Sequence, residues 1–321
     1  MRQQRKDIGS IKNALFYPSS EPIKPLSNKL MAHETVDPVL ADLQRRRTPT
    51  VNWASLSLGE RIRYIEVEGF LLMPRMLDED QIAQLKRQTS TFSTTAVSYS
   101  EKQRGKRAIQ WTGGAVTELI AHPPMIDFLK RLFGDSVIMM DYAYARSEPG
   151  HPGISLHADG QPWGSKIFGA AHSCPRLIRC LYYLDDLTPE ISPFRVVPRS
   201  HLSFHNDGNP YLRYERHPGE LMITAQAGDA VLINQNVFHG NYPNIGNSFR
   251  EMLAIAYRPS WAGPADPVEA WPEEMVARCS ADVQDVLKDR SQRIWAHDAP
   301  DKPDNMPIDA PGIDPERWEL K

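Results

Sequence analysis

His157-Ala158-Asp159, with His239 eighty-two residues further on and Arg250 eleven residues after that, is the arrangement in this chain best suited to chemistry. A His-x-Asp pair joined by one distant histidine is the ligand set of the facial triad that holds non-haem Fe(II). Residues i and i+2 of an extended strand point to the same face, so one short segment delivers both ligands from one side. The third ligand comes from elsewhere in the fold, which makes a long gap natural. Three protein ligands on an octahedral ion leave three positions, enough for a bidentate 2-oxo acid and dioxygen. Arg250 then offers the far carboxylate of such an acid a fixed fork of donors.

The context of His239 supports this. Ala227-Gly228-Asp229-Ala230-Val231-Leu232-Ile233 reads as a turn feeding a buried strand, and Val237-Phe238-His239-Gly240 follows after three polar residues. A histidine at a strand end is well placed to coordinate, beside a glycine that lets the backbone crowd a ligand. The plainer alternatives are a hydrogen-bonded turn histidine and, for Arg250, a surface ion pair.

The stretch from about Leu58 to Arg258 resembles the phytanoyl-CoA dioxygenase superfamily of Fe(II)/2-oxoglutarate-dependent oxygenases. Tyr64-Ile65-Glu66-Val67-Glu68-Gly69-Phe70-Leu71-Leu72-Met73-Pro74, followed by Leu77 to Ile82, is similar to the family's opening helix, strand and capped helix. Leu156-His157-Ala158-Asp159-Gly160 looks like its first metal motif, and Leu181 to Asp186 like the next strand. Val196-Val197-Pro198-Arg199-Ser200-His201 resembles a turn where the family usually has glycine in place of Arg199, and arginine tolerates positive φ poorly.

The resemblance implies Fe(II), 2-oxoglutarate and O2 as cofactor and co-substrates. His157, Asp159 and His239 would bind the metal and Arg250 the 2-oxoglutarate, with Asn241 where relatives place a polar group assisting the same carboxylate. It also puts Trp163 where relatives often set an aromatic ring against substrate or co-substrate. Iron halogenases of similar architecture replace the carboxylate ligand with a small residue; the presence of Asp159 favours oxygen transfer, with desaturation, ring closure or demethylation also open because they begin with the same hydrogen abstraction.

Strand parity sharpens these roles. If Arg250 faces the barrel lumen, so do Met252, Ala254, Ala256 and Arg258, while Leu253 and Ile255 face outward beneath a helix. Arg258 then lies too far along to meet a ligand held at iron and reads as a rim salt bridge. Tyr142 and Tyr144 share one face of the strand entering the site; either hydroxyl could bond 2-oxoglutarate, or both rings could be core. Arg179 interrupts the apolar run Leu177-Ile178-Arg179-Cys180-Leu181, so it must be paired or functional. Facing inward it could bind an anionic group of the substrate; facing outward it is a structural ion pair. His172, His201, His205 and His217 read as loop histidines.

These residues need a β scaffold. Segments 137–146, 154–158, 176–185, 194–197, 221–225, 230–234 and 250–258 read as strands. Ser57-Leu58-Gly59-Glu60 has capping-box form and opens a helix to about Glu66, Asp78 caps another, and Pro123 begins a third ending near Gly134. Helices before strands indicate α+β. Seven or eight strands fit either a sandwich or a double-stranded β-helix (jelly roll, cupin-like) flanked by helices; the resemblance selects the latter.

The 321 residues, 41% hydrophobic with formal net charge -3, suit one large domain with elaborated ends. Residues 1–32 read as a basic flexible arm, 33–261 as the dioxygenase domain, and 262–321 as an acidic, proline-rich extension with one helix from Glu273 to about Lys288. Nothing suggests nucleic acid or a membrane span. Cys174, Cys180 and Cys279 suit a reducing compartment, so a cytoplasmic protein is expected. The terminal segments are candidates for homo-oligomer contacts. The expected partner is a small-molecule substrate under loops 160–175 and 202–220. An acyl-CoA would call for clustered basic residues at the mouth, and no such cluster stands out. A silent ligand-binding homologue and a cupin-like metalloenzyme without a 2-oxo acid are the alternatives.

Overall fold

The computed structural model describes residues 47–97, 100–134, 137–158, 177–202, 217–260, 262 and 270–288. Asp159, Trp163, His172, His205, the N-terminal arm and most of both roofing loops lie outside the described residues. Two antiparallel sheets form a jelly-roll core with helices on one side. The strands are β1 (Phe70–Met73), β2 (Thr95–Val97), β3 (Ser100–Arg107), β4 (Val137–Ser147), β5 (Ile154–His157), β6 (Ile178–Tyr183), β7 (Phe194–Val196), β8 (Leu221–Ile223), β9 (Ala230–Asn234), β10 (His239–Asn241) and β11 (Arg250–Pro259). The larger sheet runs β1-β9-β6-β11-β4-β3-β2 and the smaller β5-β10-β7-β8. All seven expected strand segments are present. The polar strands β2 and β3, and the three-residue β10, lack the apolar alternation that marks a strand in sequence.

Helix α1 (Leu58–Val67) starts at Ser57 with the complete capping box to Glu60, and α2 (Glu79–Thr89) starts the same way from Asp78 to Gln81. Each cap satisfies backbone donors that have no partner within the helix, worth about 1 kcal/mol. After the short α3 (Gly114–Glu118), α4 (Pro123–Phe133) opens on proline, whose missing N–H costs nothing in the first turn. It ends before Gly134 at φ 92°, a left-handed position suited to glycine.

Side-chain alternation on β11 separates two cores. Leu253, Ile255 and Tyr257 point to the helices, joining Met125, Phe128 and Leu129 of α4. Ala254 points between the sheets with Leu181, Val231, Ile233, Phe194 and Val196. Each fully buried large apolar side chain contributes about 1.5–3 kcal/mol, so a one-residue slip of β11 would invert both cores at prohibitive cost.

The single helix expected from Glu273 to Lys288 is two: α5 (Glu273–Val276) and α6 (Ala281–Leu287), broken where Ser280 caps α6 through the Val283 amide. Val283, Val286 and Leu287 of α6 are buried in the helix-side core, so this part of the C-terminal segment packs into the same body as the barrel. Arg199 does adopt the left-handed turn, with φ 65°. Its amide donates to the Glu68 carbonyl and its guanidinium grips both Glu68 carboxylate oxygens, which holds an otherwise disfavoured conformation. Among the described residues no helix is long and apolar enough to cross a membrane.

Candidate active site

His157 closes β5 and His239 opens β10, and the two are direct cross-strand partners. Their rings lie with centroids 4.4 Å apart. Each directs Nδ1 at a main-chain carbonyl two residues back: His157 at Ser155, 2.8 Å, and His239 at Val237, 2.9 Å. A carbonyl can only accept, so Nδ1 carries a proton in each ring and Nε2 is the nitrogen left to serve a metal. His157 stands one residue before Ala158 and two before Asp159.

Gly240 has a role other than the expected one. A Cβ there would overlap the Ile154 carbonyl oxygen and come within 2.9 Å of that of Ser155. The missing side chain thus lets β10 crowd β5 rather than a ligand, and this close approach brings the two histidines together.

Arg250 faces between the sheets, as strand parity requires, and is completely buried. Its Nη2 donates to Ser192 Oγ at 3.4 Å, whereas Nε and Nη1 have no hydrogen-bond partner. Burial lowers its pKa, opposed by Tyr183 and Asp185. Buried donors without partners cost about 1–3 kcal/mol each and call for an explanation; a ligand carboxylate supplies one. Asn241 sits beside it, with Nδ2 donating to the Ser192 carbonyl at 3.2 Å.

The Tyr142 and Tyr144 side chains do not face Arg250. They pair across β4–β11 with Ile255 and Leu253, which puts both on the helix-covered face. The Tyr144 hydroxyl donates to Glu251, and Tyr142 is fully buried in the helix-side core. The two-residue period decides this: odd β4 positions from Asp141 to Ser147 look inward, even ones outward.

The tyrosine that does face Arg250 is Tyr183, opposite Met252 on β6 and packed with the lumen core. The Arg250 guanidinium lies 5.5 Å from its ring centroid. Its hydroxyl has no hydrogen-bond partner within normal geometry. Burial pushes its pKa up to about 12 against the pull of Arg250 and Asn241. Sequence reading missed Tyr183 and also Ser192, a buried residue at φ 49° that holds both Arg250 and Asn241. Lumen parity on β6, applied to Tyr183 as it was to Arg179, would have found the first.

A cavity of about 400 Å³ begins at His157, His239, Asn241 and Met252, one inward position short of Arg250. It passes Ala254 and Leu181 and reaches Arg179. Arg179 thus faces inward and is paired as well, 3.3 Å from Asp141. Strand β3 runs beside β4 and brings Arg107, largely exposed, to the same Asp141 carboxylate, while Arg104 and Lys106 on β3 turn to the opposite face. Arg258 is buried rather than at a rim, donating to the Pro259 and Ala262 carbonyls. His201 is buried against the Glu66 carbonyl.

Residues 65–252 match the family model described as phytanoyl-CoA dioxygenase (PhyH). Over 267 residues the chain is 24% identical to L-proline trans-4-hydroxylase of Streptomyces griseoviridis, covering 73% of this chain and 97% of that protein. Among solved structures, the carbocyclase SnoK from nogalamycin biosynthesis, described as non-heme and alpha ketoglutarate dependent, superposes with TM-score 0.54 at 19% identity, covering 68% of this chain and 95% of that one. HygX from Streptomyces hygroscopicus, crystallised with nickel and 2-oxoglutarate, gives TM-score 0.52 at 14% identity, covering 64% and 89%. At these identities the structural likeness speaks for the fold.

Proposed function

The chain belongs to the phytanoyl-CoA dioxygenase family and is a non-haem iron oxygenase dependent on 2-oxoglutarate and O2, and on that premise we propose that it hydroxylates a small-molecule substrate. His157 and His239 fit a metal through Nε2, and Asp159 is the third ligand in this reading. Bound Fe(II), with 2-oxoglutarate and dioxygen, supplies the oxidising power to take hydrogen from an unactivated C–H bond, with succinate and CO2 as co-products.

The chain's own part is to bind, orient and shield. Arg250 takes the distal carboxylate of 2-oxoglutarate through its unpartnered Nη1 and the second N–H of Nη2, and the buried, under-bonded guanidinium is the observation that carries this reading. The Tyr183 ring lies 5.5 Å from the Arg250 guanidinium, Ser192 holds both Arg250 and Asn241, and in this reading Tyr183 and Asn241 would assist the same carboxylate. Apolar walls at Leu181, Ala254 and Phe194 exclude water from the reacting centre. Trp163, four residues after Asp159 in the sequence, would contact substrate in this reading.

Release of labelled CO2 from 2-oxoglutarate, with and without candidate substrates, tests the reading. His157→Ala, Asp159→Ala and His239→Ala should each abolish release and bound iron while the circular dichroism spectrum stays native. Full activity in any one variant would remove that residue from the metal site.

A further inference from the structure

The inward positions of β3, β4 and β11 lie in rows, because the three strands are neighbours in one sheet. The first row is Gln103, Ser147 and Arg250, the second Gly105, Ala145 and Met252, and the third Arg107, Ala143 and Ala254. Gln103 lines the cavity that His157 and His239 also line, and it is only 4% exposed. Among the described residues its amide oxygen has no hydrogen-bond partner. A buried acceptor left without a donor is costly and calls for an explanation.

2-Oxoglutarate does not supply that explanation. Its ionised carboxylates and its oxo group can only accept hydrogen bonds, as the Gln103 oxygen does. The missing donor belongs to a second ligand in the same cavity. Beside Gln103 the wall is made of small residues: Gly105 on β3, Ala143 and Ala145 on β4, and Ala254 on β11 all line the cavity. A Cβ on Gly105 would come within 2.8 Å of the Tyr144 carbonyl oxygen, so glycine here keeps β3 tight against β4. With strands about 4.8 Å apart and inward rows about 6.7 Å apart, these residues form a flat shelf as broad as a fused ring.

Resting on the assignment of Arg250 to 2-oxoglutarate, we propose that Gln103 is a substrate-binding residue and that the substrate is a ring-shaped apolar molecule bearing a hydroxyl or N–H donor. The donor pairs with the Gln103 amide oxygen, and the ring lies on Ala143, Ala145 and Ala254. Its C–H bonds then share the cavity with His157 and His239. A site built around an acceptor discriminates against analogues that lack the donor, because the buried oxygen would stay unsatisfied. Gln103 thus selects the functional group, and the alanines select the shape.

The test uses the full chain loaded with Fe(II) and saturating 2-oxoglutarate without oxygen, so that Arg250 is engaged and no turnover occurs. Decahydro-2-naphthol and its methyl ether, which keeps the ring and loses the donor, are compared by equilibrium dialysis. The alcohol should bind at least about threefold tighter than the ether, the difference expected for one neutral hydrogen bond. Gln103→Leu, close in volume but without an acceptor, should make the two bind equally, whereas Gln103→Glu should keep the preference. Ala145→Leu, which fills the shelf, should weaken both probes several-fold. Equal binding of alcohol and ether to the wild-type protein, binding of neither up to its solubility, a preference that survives Gln103→Leu, or undiminished ring binding in Ala145→Leu would overturn the proposal. The 2-oxoglutarate affinity of the same samples separates the two readings. Failure of 2-oxoglutarate to bind the wild-type protein overturns both, while a several-fold loss of that affinity in Gln103→Leu assigns the amide to the co-substrate and overturns this one alone.

Discussion

Arg250 concentrates the energetics of the site in one side chain. Keeping a guanidinium fully buried with two nitrogens unpartnered is costly, and a bidentate carboxylate offsets that cost when it binds. Arg250→Ala should therefore weaken 2-oxoglutarate binding by on the order of 2–5 kcal/mol while leaving iron affinity near normal. Arg250→Lys should recover only part, since an ammonium lacks the planar fork. Tyr183→Phe removes one hydroxyl and should cost about 1 kcal/mol, several-fold in affinity. Calorimetric titration of 2-oxoglutarate into the iron-loaded variants checks all three; unchanged affinity in Arg250→Ala would mean that the carboxylate binds elsewhere.

Among the elements, the pairing of β5 with β10 and the seating of β11 matter most. Gly240→Ala would drive a methyl into the β5 carbonyls and push the strands apart. It should lower iron content and melting temperature together, a signature that loss of a ligand alone would not give. On the helix side, Glu251 accepts from Tyr144 and from Thr89 at 3.5 Å, while its amide donates to Asp185, which also pairs with Lys86 of α2. These contacts clamp the start of β11 to α2 and so fix which way Arg250 points. Tyr144→Phe should cost about 1–3 kcal/mol in urea unfolding by leaving Glu251 underbonded, yet should not alter 2-oxoglutarate affinity. A large loss of that affinity would return Tyr144 to the co-substrate site.

For the whole molecule, acid sensitivity follows from buried histidines. Burial, with the Arg250 charge adding to it, holds His151 at about 4, and burial also lowers His122 and His201. A histidine depressed in the folded state binds its proton more readily when unfolded. Its stabilising effect is therefore complete above the unfolded value of about 6.5 and is lost as pH falls through about 4. For His151 alone the loss is at most about 3 kcal/mol. Urea midpoints should fall between pH 7 and pH 4.5, and His151→Gln should flatten that slope; an unchanged slope would place the acid sensitivity in other groups.

The sequence by itself determined the elements and the candidate chemistry. The capping boxes at Ser57 and Asp78, the alternation along β11 and the spacing from His157 to His239 to Arg250 are local patterns, and local patterns are written in the order of residues. The tertiary structure decided what depends on which strand lies beside which. Tyr142 and Tyr144 could be assigned to a face only once β4 was registered against β11, whereas Tyr183 reached Arg250 because β6 is the other neighbour of β11. The contact of Arg107 and Arg179 with one carboxylate was invisible for the same reason: the two are seventy-two residues apart in sequence and meet through Asp141 on a third strand. Strand pairing over such distances is set by burial summed across whole sheets, a quantity that no short window of sequence contains.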